Sequence, residues 1–197
     1  MPVFIPLDLQ PLFDNDGISW DADLGNGDFD GEGGTYPAED LPPSNTLVEF
    51  QGIPFFFPDK EDGARNNVAL EGQRLAVPVG GYRALHLLGA ADSGSFAEWL
   101  EVEELAGGRE RYCLGLSSWH GFEGPVFNER LGITCSGFHS GDLGNTHTDG
   151  RVQREVWMWV QAIRLEESRP IQALVFPDNP CMHLFAATLE SAGEERR

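Results

Sequence analysis

The chain has few positive charges, and they are unevenly placed. Lysine and arginine together number 13 against 32 aspartates and glutamates, which gives a formal net charge of -19. Residues 1–59 contain neither, and Lys60 is the single lysine of the chain. Nucleic acids and anionic membrane surfaces are bound by clustered cationic side chains. We therefore expect neither as a partner, and an acidic excess this large favours bound cations that relieve its repulsion.

Targeting signals and long hydrophobic runs are also missing. No segment approaches the roughly 20 apolar residues of a membrane-spanning helix, and residues 1–10 lack the basic region of a signal peptide. The three cysteines are odd in number and form no CxxC pair. They predict buried free thiols in a reducing compartment, and hence a cytoplasmic protein. No phosphate-binding loop with its lysine is present, so nucleotide-dependent chemistry is not expected.

Short apolar runs separated by glycine and proline make up most of the chain, which contains 24 glycines and 13 prolines. Such runs predict β-strands. Nine strands at this spacing indicate one all-β domain over residues 1–197, built as a two-sheet jelly-roll sandwich. Long loops are expected before about residue 45 and over residues 119–150. The predicted strands are 46–50, 53–57, 73–79, 83–90, 95–105, 109–118, 154–165, 171–176 and 182–190.

Two of these strand predictions depend on local detail. Residues 151–165 place Val152, Val156, Trp159 and Ile163 on one helical face, but their β-branched and aromatic content favours a strand. Strands 95–105 and 109–118 are separated by the sequence AGG. This composition predicts a hairpin with glycine at positive φ.

The segment from Phe13 to Gly34 reads FDNDGISWDADLGNGDFDGEGG and holds seven carboxylates without a cation. Calcium takes six to eight oxygens from carboxylates and carbonyls of such a loop. We therefore predict a structural calcium. An alternative is that the side chains accept hydrogen bonds from the loop's own backbone in Asx-turns. Between Asp28 and Asp30, Phe29 is predicted to point into the core. The predicted calcium ligands are Asp14, Asp16, Asp28 and Asp30.

A second polar cluster spans residues 117–150 and contains three of the five histidines. Three imidazoles and an acid could bind zinc, although the spacings match no common zinc motif. Sugar hydroxyls also bind Asp, Asn and His side chains, and sugar rings stack on aromatic platforms. The aromatics could instead anchor the core or the loops. The carbohydrate-binding candidates are Trp20, Tyr36, Trp119, His120, His139, Asp142, Asn145 and His147. The remaining histidines, His86 and His183, lie in apolar strands and are predicted to be structural.

Four stretches carry a family resemblance: PLDLQPLFDNDGIS (6–19), GDFDGEGGTYPAEDLP (27–42), GIPFFFPD (52–59) followed by GARNNVALEGQRLAVPVGGYRALHLLGAA (63–91), and IQALVFPDNPCMHLFAATLE (171–190). They resemble a galactose-binding-like β-sandwich domain of the kind appended to bacterial glycoside hydrolases, beside or within carbohydrate-binding modules. The resemblance covers most of the chain and is weakest over residues 119–150. It implies a jelly-roll sandwich without catalysis in the domain itself, often with a structural calcium and with sugar binding in many relatives.

Three functional classes follow from these patterns. The first is a non-catalytic carbohydrate-binding module whose acidic loop is held by calcium. The second is an interaction or scaffold protein of the same fold, which could assemble as a homo-oligomer through edge strands and exposed aromatics. The third is a small metal-dependent enzyme that acts on a sugar through the histidine loop. Sequence favours the first of these.

Overall fold

A computed structural model describes residues 2–23, 26–121, 124–140 and 151–191. Within these residues the chain forms sixteen β-strands and two short 3₁₀ helices, Gln10–Leu12 and Ala38–Asp40. The strands are β1 (Val3–Leu7), β2 (Ile18–Ser19), β3 (Tyr36–Pro37), β4 (Thr46–Phe50), β5 (Ile53–Phe57), β6 (Val68–Glu71), β7 (Arg74–Gly80), β8 (Ala84–Ala91), β9 (Phe96–Glu104), β10 (Arg109–Leu116), β11 (Arg130–Cys135), β12 (Phe138–His139), β13 (Arg151–Val152), β14 (Val156–Arg164), β15 (Ile171–Val175) and β16 (Asp178–Ser191).

Two antiparallel sheets form the sandwich. The larger has the order β1-β16-β8-β14-β11, with β6 pairing along the same edge of β16 as β1, and the smaller has the order β10-β9-β15-β7. Leu87 of the larger sheet and Leu100 and Leu174 of the smaller belong to one buried apolar cluster between them. Fully burying side chains of this size contributes about 1.5–3 kcal/mol each. The predicted all-β sandwich is confirmed.

The larger sheet is also covered on its other face, so the molecule has a third layer. The β4–β5 hairpin and residues 13–23 and 26–41 pack there in a second apolar cluster that includes Phe29, Phe55 and Phe185. Every residue of β8 is buried, since this strand lies between two packed faces. The near-continuous apolar run of β8 is typical of a strand in that position. Phe29 is only 1% exposed, as the alternation around it predicted.

Most predicted strands have bounds close to the observed ones. Within residues 151–165 the chain forms strands β13 and β14 rather than a helix, and the β9–β10 hairpin turns at Gly107 with φ of +89°. Seven strands were not predicted, and four of them are only two residues long: β1, β2, β3, β6, β11, β12 and β13. The region 119–150, expected to be loop, contains β11 and β12.

The three cysteines are free, as predicted, but they are not all buried. Cys113 is exposed, Cys181 is half-buried and Cys135 is buried. Burial raises the pKa of the Cys135 thiol to about 12. Among the described residues, no helix has the length and apolar character needed to cross a membrane.

Candidate functional site

The tip of the acidic segment is organised by its own backbone. Asp28 Oδ1 and Asp30 Oδ1 each accept two hydrogen bonds, at 2.7–3.0 Å, from the amides of residues 31–34. Gly31 and Gly33 have positive φ, a conformation that glycine adopts without strain. Both aspartates therefore make the turn-type contacts that the sequence offered as an alternative to calcium.

Asp14 and Asp16 connect the acidic segment to the sandwich. Asp14 Oδ1 accepts the amide of Ala69 at 2.8 Å, and Asp16 Oδ1 accepts the Asn66 side chain at 2.6 Å. Burial raises the pKa of the Asp16 carboxyl above its usual range, against the opposing effect of that hydrogen bond. Within the described residues, no group of three potential metal ligands includes any of the four predicted calcium ligands.

Two of those four residues line a cleft of about 400 Å³ between the acidic segment and one end of the larger sheet. That volume is within the range of about 300–1,000 Å³ that small-molecule sites occupy. The more exposed polar lining comes from the acidic segment, and the buried polar lining comes from the ends of β8 and β16. The polar lining includes Asn15, Asp28, Asp30, Asp92, Cys181 and His183.

Asp92 and His183 are the buried members of this lining, with side chains 9% and 3% exposed. Asp92 directly follows β8, and its amide donates to the Cys181 carbonyl at 2.9 Å. His183 is in β16, where the register against β6 is irregular between Asn179 and His183. Pairing of β8 with β16 therefore brings the two side chains to the same end of the sheet.

Asn67 fixes the hydrogen-bonding role of the His183 ring. The Asn67 Nδ2 group donates to Asn15, so its Oδ1 accepts from His183 Nδ1 at 2.8 Å. In a neutral ring Nε2 is consequently an acceptor. It lies 3.4 Å from Asp92 Oδ2, which is also an acceptor, and the two atoms form no hydrogen bond.

Two buried acceptors at this end of the cleft thus have no donor. Neither His183 Nε2 nor Asp92 Oδ1 has a hydrogen-bond partner among the described residues. A buried polar group without a partner is unfavourable by about 1–3 kcal/mol, and such groups are rare in folded proteins. A ligand or water that donates hydrogen bonds would satisfy both. From the sequence we predicted His183 to be structural. Its position inside an apolar strand was the only feature that could have indicated a role in a site.

Two of the three predicted aromatic platforms are buried away from solvent, and the third is half-buried. Tyr36 and Trp119 are fully buried and pack edge to face with ring centroids 5.2 Å apart. The Tyr36 hydroxyl donates to the Trp157 carbonyl. Trp20 is half-buried, its indole N–H donates to the Lys60 carbonyl, and the Lys60 ammonium lies over its ring. These rings anchor the core and the acidic segment, which was the alternative to sugar stacking.

The other predicted sugar-binding residues separate into two groups. His120 is half-buried, and burial lowers the pKa of its imidazole below the usual range. His139 is fully buried, with Nδ1 2.8 Å from Ser19 Oγ and Nε2 2.7 Å from Asp21 Oδ1. The remaining candidates, Asp142, Asn145 and His147, lie outside the described residues.

A potential metal site surrounds His139. The ligand atoms of Asp21, Glu39 and His139 lie within 4.8 Å of one another, the only such group of three in the described part of the chain. An imidazole and two carboxylates form a donor set for zinc or manganese rather than for calcium. The Ser19 hydroxyl on Nδ1 would orient the ring from behind. Arg151 Nη2, 3.5 Å from Asp21, offsets part of the negative charge.

The same residues do not form a hydrolytic triad. A catalytic serine bonds to Nε2 of its histidine, with the aspartate on Nδ1. Here Ser19 is on Nδ1 and Asp21 is on Nε2. Ser19 is also only 1% exposed and shares its hydroxyl with Thr35. This serine therefore has no access to a substrate.

The architecture defines the protein as an all-β sandwich whose larger sheet is covered on both faces. Residues 4–193 match the model of the AziU2-like beta-sandwich domain, so the chain belongs to this family. No curated protein matches the chain. The family supports the sandwich part of the predicted resemblance, and the galactose-binding part is considered below as a proposal.

Proposed function

We propose that the chain is a non-catalytic binding module for a small hydroxylated ligand, a carbohydrate, in the cleft between the acidic segment and β16. The supporting observation is the pair of buried acceptors, Asp92 Oδ1 and His183 Nε2, that have no donor. Sugar hydroxyls are donors of the type that carboxylates and imidazoles bind. The galactose-binding-like resemblance of the sequence agrees with this class of ligand.

The cleft offers additional oxygens around those two acceptors. Asp28 and Asp30 use Oδ1 for the turn, and Asn15 adds an amide side chain at the same opening. Their backbone contacts hold the carboxylates in place before a ligand arrives. A site whose polar groups are already ordered loses less conformational entropy on binding.

Calorimetric titration with a panel of monosaccharides and disaccharides tests this function. We expect saturable binding that Asp92→Asn weakens at least tenfold, because the variant loses a buried charged acceptor while keeping its shape. Asp178→Asn is the matched control, since Asp178 lies exposed on β16 and outside the cleft lining. Absence of binding across the panel, or equal binding by the two variants, would contradict the proposal.

Calcium is a second element of the proposal, now centred on the Asp28 and Asp30 carboxylates at the cleft. Oxygen-rich surroundings and the lack of lysine or arginine in residues 1–59 support it. Chelator-treated protein should melt at a higher temperature once calcium is added, because a ligand of the native state stabilises it. Replacing Asp28 and Asp30 together by Asn should abolish that increase. A melt that calcium leaves unchanged would remove calcium from the proposal.

A metal-dependent function is the second candidate, and the Asp21–Glu39–His139 group favours it. Dialysed protein should bind Zn²⁺ or Mn²⁺ at this group. Glu39→Gln should weaken that binding at least tenfold, since the amide retains the hydrogen bond from the Asp21 amide but loses the charge. Glu49→Gln, on exposed β4, is the control. Metal affinity that Glu39→Gln leaves intact would exclude this group as the site.

A further inference from the structure

We infer that the ligand of the cleft carries a protonated amine, so that the preferred sugar is an amino sugar. This inference rests on the proposed function and names its ligand class. The inference is based on the hydrogen-bonding character of the polar groups that line the cleft. Its ionisable oxygens and its unpartnered imidazole nitrogen are all acceptors.

Negative charge in the cleft has no matching cation. Asp28, Asp30 and Asp92 contribute three carboxylates, and no lysine or arginine is among the described residues that line the cleft. Among the described residues, His183 Nε2 lies 3.4 Å from Asp92 Oδ2, but in its neutral form the ring gives Asp92 neither a charge nor a hydrogen bond. Cys181 also contacts Asp92, as a hydrogen-bonding thiol. The carboxylate groups are therefore not neutralised from within the cleft.

His120 lies outside the cleft lining but within electrostatic reach of Asp30, so its charge would offset part of the negative charge of the cleft. Burial and the neighbouring Arg154 lower its pKa, which favours the neutral ring at neutral pH. With three carboxylates in its lining and a neutral His120 nearby, the cleft remains negatively charged.

An ammonium group fits this arrangement better than a hydroxyl group. It has three N–H donors and no lone pair, so it can donate to Asp92 and to His183 Nε2 without presenting an acceptor to either. Hydrogen bonds between charged partners are also about twice as strong as neutral ones. A single neutral hydroxyl has one donor, so two hydroxyls would be needed to satisfy both buried acceptors, where one ammonium group suffices.

The test compares sugars that differ only at one position of the ring. D-glucosamine, N-acetyl-D-glucosamine and D-glucose are titrated separately into the full chain, with chelator present to remove calcium. We expect D-glucosamine to bind at least tenfold more tightly than the other two. The same series with D-galactosamine shows whether the preference follows the amine rather than the ring stereochemistry.

The outcomes separate this inference from the proposed function. Equal binding of the three sugars would overturn the amine inference and leave carbohydrate binding standing. Binding of none of them, together with a negative wider panel, would overturn both. Calcium is added back in a separate arm. Tighter binding of D-glucosamine in calcium would also overturn the inference, since a calcium ion at Asp28 and Asp30 would reduce the negative charge that attracts the ammonium to Asp92.

Variants locate the amine within the cleft. Asp92→Asn should reduce the preference for D-glucosamine over D-glucose to less than threefold, whereas the control Asp178→Asn should preserve it. Asp28→Asn is a second variant, because the amide oxygen can still accept the turn hydrogen bonds while the charge is lost. If both cleft variants retain the full preference and a native melting curve, the amine binds elsewhere and the inference fails.

Discussion

Phe29 shows how one side chain can connect an acidic loop to the core. Its ring lies within 5.0 Å of the rings of Tyr36 and Trp119 and 4.4 Å from His183, measured between centroids. Phe29→Ala should lower the free energy of unfolding by about 3–5 kcal/mol, the usual range for a buried phenylalanine. Urea denaturation measures it. Phe56→Ala is the control, because Phe56 is 47% exposed and its loss should matter far less. Equal losses would mean that the loop is not held by Phe29.

Asp40 gives the stability a dependence on pH that can be assigned to one residue. Burial alone raises the pKa of Asp40, but hydrogen bonds from the Ser136 amide and hydroxyl, with Arg151 nearby, outweigh it and lower the pKa below 3.8. A carboxyl whose folded pKa is lowered stabilises the fold above its unfolded pKa. That stabilisation is lost as the pH falls through the folded value.

Asp40→Asn should therefore destabilise the protein at pH 7 by about 1.5–3 kcal/mol, the contribution of hydrogen bonds to a charged acceptor. At pH 3 and below, the difference from the unmodified protein should shrink. Urea unfolding of both proteins at the two pH values gives the comparison, with Asp178→Asn as the control for loss of an exposed charge. A destabilisation that stays constant with pH would mean that Asp40 acts through packing instead.

At the scale of elements, the approach of β16 to β8 positions the cleft. A Cβ on Gly89 of β8 would lie 2.3 Å from the His183 carbonyl oxygen, which is backbone and has little room to move. Gly89→Ala should displace β16 at His183, reduce stability and weaken ligand binding in the cleft. Gly124→Ala is the matched control, because no atom lies within 4 Å of that added methyl group. If Gly89→Ala leaves calorimetric binding unchanged, the spacing between β8 and β16 does not determine ligand binding in the cleft.

The sequence predicted most of the longer strands, but it predicted only part of the candidate site. Strands β4 and β5 were predicted with their observed bounds, since each is a compact apolar run between turn residues. Strand β6 is only four residues long and β11 is interrupted by Gly132, so neither has a clear local pattern. Asp28 and Asp30 were identified from charge density. Asp92 and His183 are 91 residues apart, and their meeting depends on β8–β16 pairing, which no local pattern encodes.

The third layer also could not be predicted from sequence, because it depends on contacts between residues that are far apart in the chain. Residues 13–41 were predicted to be loop because their sequence has few strand or helix signals, and in their described part only β2, β3 and a short helix are regular. Their packing on the larger sheet depends on a few buried side chains, among them Ile18, Phe29 and Tyr36. Local alternation gave the direction of Phe29. The surface that it covers became visible only once the sheet was assembled.

The two sides of the molecule differ in charge balance: glutamates of the smaller sheet are paired with arginines, whereas the acidic segment on the opposite side contains no lysine or arginine. Arginines of the smaller sheet form ion pairs with glutamates across its exposed face, such as Arg111 with Glu101 and Arg74 with Glu103. These arginines are at least half exposed, and exposed pairs contribute about 0–1 kcal/mol each. The acidic segment, in contrast, belongs to a stretch of 59 residues without lysine or arginine. Unbalanced repulsion is therefore concentrated in the third layer.

Salt should consequently stabilise the protein. The Debye length falls from about 30 Å at 0.01 M salt to about 3 Å at 1 M, which screens repulsion among distant carboxylates. Screening of the exposed Arg–Glu ion pairs reduces stability only slightly, because each pair contributes little even at low salt. Thermal melts of chelator-treated protein in increasing sodium chloride should show a rising midpoint at pH 7. The rise should be smaller at pH 4, where part of the carboxylates is protonated, and this comparison controls for general effects of salt on apolar surface. A midpoint that falls with salt at pH 7 would show that the Arg–Glu pairs, rather than repulsion in the acidic layer, dominate the electrostatics of the fold.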